Sequence, residues 1–170
     1  MTRAAERVAK VSEETPPFAA FFGPNVTLVP TPGSAPRRGD SLWVPDRIAK
    51  ALQAQGLAAA VEPLLERVEA VPKSAYAAPR DRPTVERHCA SLRVTSLLAP
   101  GQELVLVDDV VTKGRTLLAA ASVLASAFPE ARIRAFALIR YQGFAEDLDA
   151  PLSPVTGEIT WEGGDARRSI

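Results

Sequence analysis

The hydrophobic and polar positions of this chain alternate between apolar runs of strand length and helical patterns, separated by loops rich in glycine and proline. Leu104, Val105, Leu106 and Val107 form a continuous apolar run too short for a lone helix, the pattern of a central strand covered on both faces. Leu117 to Phe128 follows as an Ala- and Leu-rich helix. Upstream, Asn25 to Thr31 (NVTLVPT) predicts another strand. A helix then starts near Pro45, where the ring suits a first turn, and runs through Ile48, Ala49 and Leu52 to a stop at Gly56. Ala60 to Arg67 (AVEPLLER) predicts a strand in which Pro63 lacks a ladder donor, which suggests a sheet edge. Thr84 to Leu92 predicts a short helix. In Arg132 to Ile139 (RIRAFALI) a further strand turns Ile133, Ala135, Ala137 and Ile139 to one side and Phe136 and Leu138 to the other. This alternation across residues 25 to 140 defines an α/β class: a mostly parallel twisted sheet with helices on both faces.

The joint between the central strand and its helix carries the chemistry. Asp108 and Asp109 follow the apolar run, Val110 and Val111 come next, and Thr112, Lys113, Gly114, Arg115 and Thr116 form a turn into the helix. In an open α/β sheet this order puts the loop in the crevice beyond the strand ends, with helix-terminal N–H groups facing the opening. A phosphate fits there. Gly114 removes the Cβ that would hold an anion off the backbone, and the hydroxyls of Thr112 and Thr116 can donate further hydrogen bonds. Two carboxylates would repel the same phosphate, so Asp108 and Asp109 are expected to face hydroxyls or a cation beside it. Ribose hydroxyls and magnesium both qualify.

The segment VLVDDVVTKGRT, Val105 to Thr116, resembles the phosphoribosyl pyrophosphate (PRPP) signature of the type I phosphoribosyltransferases: four apolar residues, two acidic, two apolar, then a Thr- and Gly-containing phosphate loop. The resemblance implies that Asp108 and Asp109 contact the ribose 2′ and 3′ hydroxyls and lie beside Mg2+. It implies that Thr112 to Thr116 hold the 5′-phosphate, with backbone amides rather than the side chains of Lys113 and Arg115 as the contacts. It further implies that a loop after an earlier strand approaches the pyrophosphate with exposed amides, often through a non-proline cis peptide, here expected within Pro30 to Gly33; Thr31, Pro32 and Gly33 correspond, with Arg37 and Arg38 as sources of charge. The same region is similar to the ComF-like branch, in which a V-P-x-P loop precedes an arginine-containing segment and a helix. That branch carries an aromatic and an amide after its glycine, whereas this chain has Gly39, Asp40, Ser41, Leu42 and Trp43.

Between these loops, Val71 to Leu92 is rich in small residues, prolines and cations. The resemblance makes it a lid over the pyrophosphate, with Lys73, Arg80 and Arg82 as the residues that reach the leaving group. It also implies a small hood built from the terminal segments, residues 1 to 24 and 141 to 170, around a single domain with its core at about 25 to 140. The aromatics Phe18, Phe21, Phe22, Tyr141, Phe144 and Trp161 are hood or dimer candidates as well as ordinary packing residues. The implied function is transfer of phosphoribosyl from PRPP to a small-molecule base with release of pyrophosphate, by a homodimer. Two alternatives keep the clamp without the transfer: a PRPP- or nucleotide-binding regulator, and a ComF-like accessory protein working through partners.

Composition narrows the partners. The 20 basic and 20 acidic residues balance, so the whole-molecule field does not draw nucleic acid and a phosphate site must depend on local charge. One cysteine, Cys89, forbids an internal disulfide, and no apolar run approaches the length of a membrane span, which together point to the cytoplasm. His88 and Cys89 are adjacent on a helix and project in different directions, so they do not form a nucleophile pair. The motifs GxxxxGK[ST] and GxGxxG are absent. A response-regulator receiver also has paired acids after a strand, but after its first strand, and it needs a downstream phospho-acceptor Asp.

Overall fold

A computed structural model describes residues 1–39, 41–72, 82–96, 101–141 and 154–169. Their elements run α1 (Thr2–Glu14), α2 (Pro16–Ala19), β1 (Gly23–Pro30), α3 (Val44–Ala54), β2 (Ala58–Val61), β3 (Leu65–Arg67), α4 (Val85–Ala90), β4 (Leu92–Val94), β5 (Glu103–Val111), α5 (Arg115–Ala127), β6 (Arg132–Arg140), β7 (Glu158–Glu162) and β8 (Asp165–Ser169). Strands β2, β1, β5 and β6 pair in that order, all parallel. Two antiparallel ribbons, β3 with β4 and β7 with β8, stand beside the sheet.

Alternation along β5 assigns the two faces. Leu104 and Leu106 join Val29 and the α5 residues Leu117, Ala120 and Leu124 in one apolar cluster, which also takes in Leu65, Val85 and Leu92. Val105 and Val107 turn the other way, onto Val26, Leu28 and the α3 residues Ile48, Ala49 and Leu52. All four β5 residues are fully buried. That explains a run without polar breaks, since each such side chain contributes about 1.5–3 kcal/mol by leaving water. The sheet is therefore covered by helices on both faces.

Two boundaries differ from expectation for physical reasons. The acidic pair belongs to the central strand itself, because β6 continues to pair with β5 as far as Val111 opposite Arg140. The strand expected over Ala60 to Arg67 is two: β2 completes one edge of the main sheet, and β3 turns off to pair with β4. Pro63 lies between them, where no ladder donor is needed. Helix α1 packs its Ala5 and Val8 onto the α3 side of the core, where Phe22 meets Phe136 edge-on at 5.4 Å. Phe18 and Phe21 pack against the same cluster.

Candidate functional site

The strand order turns back on itself at β1 and β5. From β1 the chain crosses to β2 on one side, and from β5 to β6 on the other, so the connections leave a crevice beyond the carboxyl ends of these two neighbours. The last β1 pairing is Pro30 opposite Val107. Past that register β5 keeps only β6, and Asp108 and Asp109 are the first residues in the gap.

Both aspartates are half-buried and self-tied: the Asp109 N–H donates to Asp108 Oδ1 and the Val110 N–H to Asp109 Oδ1, each at 2.9 Å. Burial pushes the Asp108 carboxyl up to about 7, with the neighbouring Asp109 carboxyl adding to the shift. Desolvation and a neighbouring acid both favour the neutral form of Asp108. Thr31, 1% exposed at the end of β1, closes the opposite wall. Its N–H and hydroxyl donate to the Val107 carbonyl at 2.9 and 3.0 Å. The hydroxyl also reaches the Asp108 carboxyl, which its single proton can serve only in turn.

On the far side of the aspartates, Gly114 is the N-cap of α5 with φ 88° and no side-chain cap. The first N–H groups of this 13-residue helix therefore lack partners within it. The expectation that Gly114 clears space for an anion is corrected, because a Cβ there would meet Ile159 Cδ1 at 2.7 Å and Cγ2 at 2.9 Å. The glycine makes room for the β7–β8 ribbon and allows the left-handed turn. That ribbon also claims the loop's cations. Asp165 accepts from Arg115 Nε at 2.5 Å and Nη2 at 2.6 Å, and Lys113 Nζ lies 3.3 Å from it. The guanidinium holds the Asp165 carboxyl well below the usual carboxylate range. Arg168 donates to the carbonyls of Val111 and Tyr141 at 3.1 and 2.8 Å. The side chains of Lys113 and Arg115 are thus engaged with the ribbon.

The first loop is shaped by its carbonyls. Trp43 Nε1 donates to the Thr31 carbonyl at 2.7 Å, Arg67 Nε to the Gly33 carbonyl at 2.9 Å, and the Val71 N–H to the Ser34 carbonyl at 2.7 Å. No cis peptide bond occurs among the described residues, which corrects the expectation for Pro30 to Gly33. Arg37 and Arg38 are exposed, and the Arg37 guanidinium lies 5.0 Å from the centroid of the Trp43 ring. Lys73 and Arg80 lie outside the described residues, as does Phe144.

The fold thus sets Thr31 beside Asp108 and leaves Asp109 and the turn of Thr112 to Thr116 at the same carboxyl end of the sheet. Sequence reasoning missed Trp43, Arg67, Ile159, Asp165 and Arg168. Only Arg67 left a readable signal: it is two residues from Leu65, so it shares that residue's face of a strand, and both are buried. A groove of about 600 Å³ lies elsewhere, along the outer edge of β6 between α1 and the β7–β8 ribbon. It reaches Val111 and Ile159 but neither aspartate.

These features define an open parallel α/β protein with a polar crevice at the switch point of its sheet. No family model matches the chain, and no curated protein is significantly similar to it.

Among the described residues no three His, Cys, Asp or Glu side chains stand close enough to enclose a metal ion. A hard cation that keeps most of its waters and takes further oxygens from a phosphorylated ligand needs only one or two carboxylates. Asp108 and Asp109, each with one oxygen bound to a backbone N–H, fit that lesser demand. No helix among the described residues is long and apolar enough to cross a membrane.

Proposed function

We propose that the crevice binds PRPP and that the protein transfers its phosphoribosyl group to a nitrogen of a small base, in the manner of a type I phosphoribosyltransferase. The observation that carries this reading is the order of groups around the switch point: pinned loop, twin aspartates, open helix N-terminus. Diphosphate, ribose hydroxyls and 5′-phosphate follow the same order in PRPP.

In this reading the amides of Thr112 to Thr116, at the positive end of the α5 dipole, hold the 5′-phosphate. Asp108 and Asp109 orient the ribose through its hydroxyls. Magnesium, when bound, neutralises charge on the departing diphosphate. Departure of pyrophosphate runs ahead of attack by the base, so the anomeric carbon resembles an oxocarbenium ion and is inverted. The protein's work is then to fix the sugar and to favour the leaving anion, rather than to supply a nucleophile.

A second reading, a PRPP-binding regulator without transfer, draws on one feature: the β7–β8 ribbon already occupies the side chains of Lys113 and Arg115. One experiment separates the two. Pyrophosphate release is followed with PRPP, magnesium and a panel of bases, beside calorimetry with PRPP and magnesium alone. Release with one base selects the transferase, and saturable heat without release selects the regulator. No heat and no release reject both.

Asp109→Asn removes charge with little change of shape. We expect PRPP turnover to fall about ten-fold or more, equivalent to about 1.4 kcal/mol, with thermal stability nearly unchanged. Turnover equal to the parent would remove Asp109 from the site.

A further inference from the structure

Arg67 is the least explained charge in the structure. It is 4% exposed, its three acceptors are neutral, and among the described residues it forms no ion pair with a carboxylate. Buried guanidinium groups are normally compensated by an anion, because desolvation penalises the charged form. The arrangement of its donors is also specific. Nε takes the Gly33 carbonyl at 2.9 Å, while Nη1 takes Ser91 Oγ at 2.5 Å and the His88 carbonyl at 3.4 Å. One fork therefore fastens the loop after β1 to the end of α4.

The peptide geometry makes this consequential. Across a trans peptide unit the C=O and the following N–H point in opposite directions. With the Gly33 carbonyl drawn to Arg67 and the Ser34 carbonyl drawn to the Val71 N–H, the Ser34 N–H turns away from Arg67 and the Ala35 N–H away from Val71. Successive amides presented together form a concave anion site. Thr31, at the start of the same loop, is already bound to Val107 beside the aspartates.

We propose that Arg67 is a positioning residue for the pyrophosphate half of the ligand: it holds the Gly33 carbonyl back, presents the Ser34 and Ala35 amides to a diphosphate, and lends that anion its charge. This rests on the PRPP reading, and it adds β3 to the residues expected to meet the pyrophosphate. A lysine at this position keeps the charge but cannot serve three acceptors in one plane.

The test titrates the two halves of the ligand separately, magnesium pyrophosphate and ribose 5-phosphate, into the parent protein and the Arg67→Lys variant. The variant is expected to lose about ten-fold or more in pyrophosphate affinity, the scale of a hydrogen bond to a charged group, while ribose 5-phosphate binding stays within about two-fold. Equal losses for both ligands would mean a merely structural role, and no loss for either would mean none at the site; each overturns the proposal. If Arg67→Lys does not fold, Ser91→Ala removes one anchor of the fork and is expected to cost about three-fold for pyrophosphate alone, read by the same two outcomes. Should the parent bind pyrophosphate but not ribose 5-phosphate, the PRPP reading fails while the Arg67 assignment is still read from pyrophosphate. A parent that binds neither overturns both.

Discussion

At the scale of single residues, Asp108 is the group whose state the fold controls most directly. Burial and the adjacent Asp109 raise its carboxyl to about 7, so near neutrality it is divided between acid and carboxylate. A divalent cation competes with that proton. PRPP affinity in the presence of magnesium is therefore expected to increase from pH 6 to pH 8 in the parent and to lose this dependence in Asp108→Asn. Calorimetry across that range checks it, and a flat profile in the parent would contradict the raised Asp108 carboxyl. Trp43 makes a different residue-scale point. In the sequence it is a departure from the ComF-like pattern, yet its indole N–H holds the Thr31 carbonyl at 2.7 Å, so the departure itself anchors the loop.

At the scale of elements, the β7–β8 ribbon and the start of α5 form one unit. Gly114 combines a left-handed backbone with the Ile159 side chain lying where a Cβ would be. Gly114→Ala is expected to destabilise the fold by about 1–3 kcal/mol, from the left-handed strain and the overpacking together. Adding Ile159→Ala should remove the collision but leave the backbone strain, so the double variant should melt above the Gly114→Ala variant minus the cost of Ile159→Ala alone. Strict additivity in this double-mutant cycle would refute the contact. The Asp165 bridge is partly buried and two-pronged, with Arg115 side-chain exposure of 18%. Asp165→Asn should loosen the ribbon, read as faster hydrogen exchange over residues 158 to 169 with little change in the parallel sheet. Equal protection in parent and variant would show that apolar packing of Ile159 and Ala166 holds the ribbon without the bridge.

At the scale of the whole molecule, His88 and Asp108 set opposing pH dependences. His88 is 4% exposed with both ring nitrogens unpartnered among the described residues, and burial, with Arg67 and Arg115 nearby, lowers it to about 4. Between its unfolded value of 6.5 and about 4 the unfolded chain binds a proton that the folded chain refuses, so stability falls as pH falls, by about 3 kcal/mol in all. Asp108 acts the other way. Between its unfolded value of 3.8 and about 7 the folded chain holds the extra proton, so stability falls as pH rises. The windows overlap from about 4 to 6.5, where the parent is expected to show a muted slope. His88→Leu should expose the Asp108 slope, with stability decreasing from pH 4.5 to 6.5 in urea titrations. Asp108→Asn should expose the opposite one. Variants with unchanged slopes would show that neither group titrates as its burial implies.

The sequence alone determined the elements whose energetics are local or periodic. The β5 run had to be a doubly covered strand because four adjacent apolar residues cannot all be buried on a one-sided surface. The helix after Gly114, the Pro45 start and the two faces of Arg132 to Ile139 were legible for the same reason, since hydrophobic period and backbone preference act within a few residues. So was the sequence of strand, acids and glycine turn that named the crevice. Only the tertiary structure decided what surrounds it. Whether Gly114 faced an anion or Ile159 depends on a ribbon some 45 residues away, and the partner of Arg67 comes from a loop 34 residues upstream. Local preference assigns no energy to such contacts. They arise when strand order brings distant segments together, and it was the order β2-β1-β5-β6 that set Thr31 across from Asp108.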